Sequence, residues 1–193
     1  EMKSFCQDRN IESILDLSHP YAELVSQNAK KVAKDLKIEY YRYVRPKVIS
    51  GDQEIFLDDV ESVCLYIRSL SGTFFFSTGS KNAPQFLKFR GDNRFIFRVL
   101  PSEESIRILR ENGVEMKDII AELGPFSEEQ NYLTMKEKAV DYLVTKDSGS
   151  NGGADEKIRA ARRLGIKTIV IGRREENGID LNKAVSLIRG SFE

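Results

Sequence analysis

Lys146-Asp147-Ser148-Gly149-Ser150-Asn151-Gly152-Gly153 sets an ammonium, a carboxylate, hydroxyls and glycines between an apolar run ending at Val144-Thr145 and a helical pattern that carries Glu156 and Lys157. Backbone N–H groups in such a turn, opening a helix, converge on an anion, and Lys146 and Lys157 add full positive charge. The chemistry this suits is capture of a carboxylate or phosphate by Lys146, Asp147, Ser148, Gly149 and Lys157. The plainer alternative is a glycine-rich connection with no ligand. A Lys-Asp-Ser triplet placed directly at a strand end argues against it, because a bare turn has no need of all three.

Three further segments carry reactive side chains. Ser77-Thr78-Gly79-Ser80-Lys81-Asn82 follows another apolar run; Gly79 lets a backbone come close to a ligand, and Ser80 and Lys81 are suited to a phosphate or carboxylate. It is neither a GxGxxG motif nor a P-loop. Asp16-Leu17-Ser18-His19-Pro20-Tyr21-Ala22 gathers a carboxylate, the only histidine and a phenol. His19 is suited to proton transfer near neutral pH, with Asp16 to orient it and Tyr21 beside it, although a histidine next to a proline is often structural. Arg42 and Arg45 lie three apart, with guanidinium forks that match carboxylates.

The elements that must position these groups are short and regular. A helix over Met2 to Arg9 precedes a strand over Ile11 to Leu17, and Pro20 suits the first turn of a helix over Tyr21 to Leu36. A β-rich run, Glu39 to Val44, stops at Arg45-Pro46. Ser50-Gly51-Asp52 reads as loop, and Asp58 to Leu70 as a helix capped by Asp58 or Asp59. From Ser71 onward five strand-helix units follow in succession, beginning with Thr73-Phe74-Phe75-Phe76 and ending with the helix Asp180 to Arg189. This alternation predicts a parallel sheet covered on both faces. Gly124-Pro125-Phe126-Ser127 reads as a tight elbow, with Phe126 packed on the sheet and Ser127 an N-cap. Two α/β domains are expected, 1–70 and 71–193. Ligands in such sheets sit outside the carboxyl ends of strands, where these segments fall.

The totals agree. At 193 residues with 40% hydrophobic content the chain can bury a sizeable core. Thirty Lys plus Arg balance thirty Asp plus Glu, so no nucleic-acid partner is expected and any anion site must be local. Cys6 and Cys64 lack metal-ligand spacing, so neither a metal nor a disulfide framework is expected, and a reducing cytoplasm fits. No apolar run approaches the roughly 18 residues of a membrane span. Nothing in the pattern speaks to oligomeric state.

Taken in order, Asp16 to Ala22, Arg42-Tyr43-Val44-Arg45-Pro46, Thr78-Gly79-Ser80-Lys81-Asn82, Arg98-Val99-Leu100-Pro101, Gly124-Pro125-Phe126-Ser127 and Val144 to Gly149 resemble the precorrin-6A and cobalt-precorrin-6A reductases of cobalamin synthesis. The resemblance implies two Rossmann-like domains facing each other across a cleft, and reduction of one macrocycle double bond by hydride from NADPH or NADH. The acetate and propionate arms of the tetrapyrrole would engage the Arg, Lys and glycine-turn groups, and Arg173 is a further candidate for an anion contact. The family normally opens with a strand and a Gly-Gly-Thr-like turn, and none precedes Glu1, so the first domain is expected to be partial. The reading from another class is a catalytically silent, anion- or nucleotide-binding module.

Overall fold

The computed structural model describes residues 1–46, 51–149, 153–173 and 176–190. It divides into two compact units, one formed by 1–46 with 174–193 and the other by 47–173.

The smaller unit opens with α1 (Met2–Asp8), β1 (Ser13–Asp16), α2 (Glu23–Leu36) and β2 (Glu39–Arg42). β1 and β2 pair in parallel, Asp16 lying opposite Arg42. Lys37 closes α2 in the left-handed conformation, its N–H returning to Ala33 and Lys34.

The larger unit contains β3 (Glu54–Leu57), α3 (Val60–Ile67), β4 (Thr73–Phe76), α4 (Ala83–Leu87), β5 (Arg94–Val99), α5 (Glu103–Glu111), β6 (Ile119–Ala121), α6 (Glu128–Glu137), β7 (Tyr142–Lys146), α7 (Ala154–Arg163) and β8 (Lys167–Ile171). Its six strands lie in the order β3-β8-β7-β4-β5-β6, every pair parallel. The α/β class and the parallel sheet agree with the sequence pattern.

Both sheet faces are apolar because the strands are buried on both sides, as a parallel sheet requires. On one face Phe75, Ile96 and Leu143 pack with Met135, Ala160 and Ala161 of the covering helices. On the other, Phe76 stacks on Phe97 at 4.7 Å and lies 4.8 Å from Phe86 of α4. Each such phenyl ring contributes roughly 1.5–3 kcal/mol by leaving water.

The strand order reverses once. From β4 the chain steps outward through β5 and β6, then returns to place β7 on the opposite side of β4, with β8 beyond it. The loops leaving β4 and β7 therefore flank a switch point at the carboxyl edge, where the crevice of an open α/β sheet forms.

Three features depart from the sequence expectation. β3, which falls between the expected loop and the expected helix, is a strand, and it pairs with β8, so 51–70 belong with the larger sheet. The expected boundary at 70/71 gives way to a first crossing after Pro46 and a second after Arg173. The last helix, α8 (Leu181–Gly190), belongs to the smaller unit rather than to the fifth unit of the large sheet. There the returning chain bridges Tyr43 through Ile179, whose N–H donates to the Arg42 carbonyl at 2.8 Å and whose carbonyl accepts from Val44 at 3.0 Å. Gly178 runs so close that a Cβ would collide with the Arg42 carbonyl.

Candidate active site

At the switch point, β4 ends in Ser77-Thr78-Gly79-Ser80-Lys81. Gly79 adopts φ +81°, and a Cβ built on it would meet nothing within 4 Å, so open space lies against its backbone. Beside it, the buried Thr78 hydroxyl has no hydrogen-bond partner among the described residues. Ser80 is buried and its hydroxyl turns to Ser105 of α5 at 3.3 Å, away from the ligand role expected of it. Lys81 is exposed.

Across the reversal, β7 ends in half-buried Lys146. Burial lowers its pKa, and the like charge of Lys81 lowers it further, so the two ammonium groups share one electrostatic environment. Asp147 is buried and committed to structure. One oxygen accepts the Gly149 N–H at 3.3 Å, and the other lies 3.6 Å from Arg173 Nε, at the end of β8. Asp147 and Arg173 thus tie the two strand ends together, rather than presenting a bare carboxylate and a bare cation. Ser148 and Gly149 are buried in that turn; residues 150–152 of the motif lie outside the described residues.

Next to this, Arg98 crowns the apolar face of β5, two residues beyond Ile96. It is only 6% exposed, an unusual place for a guanidinium, and its surroundings supply the compensation. Nη2 donates to Asn131 Oδ1 at 2.7 Å, and the plane lies 3.9 Å from the Phe126 ring and 5.1 Å from Phe75. Asn131 is itself fixed, donating to the Ser127 carbonyl at 2.7 Å, and Ser127 closes a capping box with Gln130. Arg98 Nη1 has no partner among the described residues. Arg98 lines a cavity of about 200 Å³ together with Ser77, Gly79, Glu122, Phe126 and Lys157. Burial lowers the Arg98 pKa to about 10, opposed by Glu122. Burial, then the neighbouring Arg98 charge, lowers that of Lys157 to about 8, with Glu156 opposing.

The cluster in the smaller unit behaves differently. Asp16 Oδ1 accepts the Ser18 N–H at 2.9 Å and Arg42 Nη1 at 3.1 Å, and Oδ2 accepts the Tyr40 hydroxyl at 2.8 Å. Burial raises the carboxyl pKa, but hydrogen bonds from Ser18, Ser26 and Tyr40 outweigh it and hold Asp16 well below the ordinary carboxylate range. Burial and the hydrogen bond to Asp16 push Tyr40 up to about 12. Arg42 also donates to the Ser18 carbonyl at 3.0 Å and, through Nη2, to Glu176 at 3.2 and 3.3 Å. Both of its terminal nitrogens are therefore engaged by the chain itself, with Nε left without a partner among the described residues, which replaces the expectation that they meet ligand carboxylates. Asp16, locked ionised, holds Arg42 and is no proton source. Exposed His19 accepts the Tyr21 N–H on Nδ1 at 3.2 Å, its ring 5.7 Å from that of Tyr21. Arg45 is half-buried just past β2.

Comparison with known proteins places this geometry. The family model described as "Precorrin-6x reductase CbiJ/CobK" matches residues 1–189. The chain belongs to the precorrin-6x reductase family. Among its relatives, the cobalt-precorrin-6A reductase of Priestia megaterium is 33% identical over 177 residues, 90% of this chain and 69% of that protein. That of Methanocaldococcus jannaschii is 33% identical, covering 90% and 68%, and that of Salmonella typhimurium 31%, covering 90% and 67%. A solved CobK precorrin-6A reductase matches with a TM-score of 0.79 at 18% identity, over 98% of this chain and 77% of that one, which establishes the shared fold.

In this chain the structure gathers Gly79, Lys81, Lys146 and Lys157 at the carboxyl edge of the large sheet. It also adds Arg98, Phe126 and Asn131, which reading the sequence for reactive groups left out. A signal for Arg98 was present: a charged residue inside the apolar run of β5 that follows Arg94, in register with inward-facing Ile96. Among the described residues, no cluster of His, Cys, Asp and Glu is suited to a metal, and no helix is long and apolar enough to cross a membrane.

Proposed function

We propose that this chain reduces one double bond of precorrin-6A or cobalt-precorrin-6A with hydride from NADPH or NADH, in cobalamin biosynthesis. The observation that carries the reading is a glycine backbone with open space at the strand-order reversal, sharing a cavity with Arg98 and Lys157, while Lys81 and Lys146 follow or end the two strands that flank the reversal. In a chain with no net formal charge, this local excess of cations suits a planar ring bearing many carboxylates.

Family membership supports the reaction, and the residues present fit both ligands. Gly79 admits a close approach of backbone to a phosphate or ring edge, and the unpartnered Thr78 hydroxyl and Arg98 Nη1 stand ready for acceptor oxygens. A dihydronicotinamide, when bound, supplies the hydride. The protein's own part is to grip the acidic arms, so that the reacting carbons are held at one place and orientation, and to keep water away. Phe126 and Phe75 back Arg98 with an apolar surface that strengthens each charge contact.

The test is to titrate the protein with NADPH, NADH and a corrin precursor and follow the nicotinamide absorbance. Oxidation that requires the tetrapyrrole is expected. Capture of both ligands without oxidation would reject the reductase in favour of a silent binding module.

A further inference from the structure

Reduction of a carbon–carbon double bond needs a proton as well as a hydride, and the cavity beside Gly79 holds two cations of different kinds. Arg98 is fixed by Asn131 and two aromatic rings. Lys157, on the first turn of α7, lines the same cavity, half-buried, and makes no hydrogen bond or ion pair to any described residue. An ammonium lining the same cavity as a guanidinium, with no carboxylate paired to it, is a poor structural device. Among the described residues, the charged groups that act on it are Arg98 from β5 and Glu156 on its own helix, and Glu122 beyond β6 lines the same cavity.

We infer that Lys157 is the proton donor of the reduction, a catalytic residue whose Nζ–H faces the carbon next to the one that receives hydride. The inference rests on the reductase reading above. One carbon of the double bond takes hydride from a dihydronicotinamide. Its neighbour uses the π electron pair to form a bond to the Lys157 proton. The N–H bond breaks with its electrons staying on Nζ, and the neutral amine regains a proton from solvent. Arg98 cannot substitute for Lys157, because a guanidinium keeps its proton near neutral pH. It keeps the ammonium beside it acidic enough to give one up: burial and the Arg98 charge place the Lys157 titration at about 8, near the optimum for an acid working at neutral pH.

The experiment compares the wild type with Lys157→Arg, which retains charge but not a transferable proton, and with Lys157→Gln, each checked for native unfolding behaviour. Turnover by the wild type comes first; its absence overturns the reductase reading and this assignment together. Given turnover, kcat should fall about 100-fold or more in both variants with KM for the tetrapyrrole little changed in Lys157→Arg. The alkaline limb of the wild-type kcat/KM profile should be missing in that variant. Product formed in deuterated water should carry one solvent deuterium in a single configuration in the wild type and in mixed configurations in Lys157→Gln. Independently of turnover, acylation of the ligand-free protein at a series of pH values, mapped by mass spectrometry, should show Lys157 titrating near 8. Near-normal kcat in Lys157→Arg, or a Lys157 midpoint at the ordinary lysine value of about 10.4, overturns the assignment while leaving the reductase reading intact.

Discussion

Arg98 lies face-on to Phe126, its guanidinium carbon 3.9 Å from the ring centre. The stack keeps a charge beneath the surface of the larger unit at the point where β5 meets the strand-order reversal. One nitrogen of that group is satisfied by Asn131 and another is left open, so the same residue buttresses the elbow after β6 and offers a donor to the cavity.

Replacing Arg98 separates those two roles. Arg98→Met keeps an apolar side chain on Phe126 but leaves the Asn131 oxygen, 0% exposed, without its donor, a cost of about 1–3 kcal/mol. Urea unfolding should register that loss. Tetrapyrrole affinity should fall roughly tenfold or more as a charge-assisted hydrogen bond disappears. Arg98→Lys should recover little of either, because an ammonium reproduces neither the stack nor the fork.

Lys146→Ala should weaken tetrapyrrole binding by roughly tenfold or more, since a lost charge-assisted contact costs about 1.5–3 kcal/mol. Exposed Lys183 on α8 is the control, and Lys183→Ala should change binding by less than about twofold. Isothermal titration of both variants decides the matter, and equal losses would contradict a site at the end of β7.

Acid should weaken the smaller unit through Asp16. Its carboxyl titrates lower in the folded chain than in the unfolded one, so its stabilisation is fully present above the unfolded value of about 3.9 and is lost as pH falls through the folded one. Asp16→Asn should lose about 3–5 kcal/mol at pH 7, because it leaves buried Arg42 short of a counter-charge. It should also flatten the acid dependence seen in urea unfolding at pH 7, 4 and 3.

Gly178→Ala should destabilise the smaller unit by about 1–3 kcal/mol, since the added methyl must displace the Arg42 carbonyl or the Val44 side chain. Hydrogen exchange is the suitable readout. Protection should drop for the Val44 and Ile179 amides, which pair across that approach, with the amides of the large sheet unchanged.

Much of this is legible in the sequence. The β/α rhythm from Thr73 onward, the Ser127 cap and the placement of Lys146 and Gly79 after strands all follow from periodicity and turn chemistry. β3 was not legible. At four residues it is too short to show a period, and it opens with Glu54, a charge buried only because Arg162 of α7 meets both its oxygens at 2.8 and 2.7 Å. The boundaries were hidden for a different reason: the chain changes units without breaking its alternation, so nothing in the local pattern marks the crossings after Pro46 and Arg173. The roles of Asp16 and Arg42 were obscured because side chains that suit a ligand suit each other equally well. Only their register across β1 and β2 shows that they are partners.

The return of 176–190 to the smaller unit has a consequence for biogenesis. Domains tend to fold in the order in which they are synthesised, yet here residues 1–46 lack the segment that borders β2 until Ile179 and α8 have been made. Residues 47–173 are thus free to mature before the smaller unit is complete, and a premature stop before Gly178 would leave residues 1–46 without the segment that pairs beside β2.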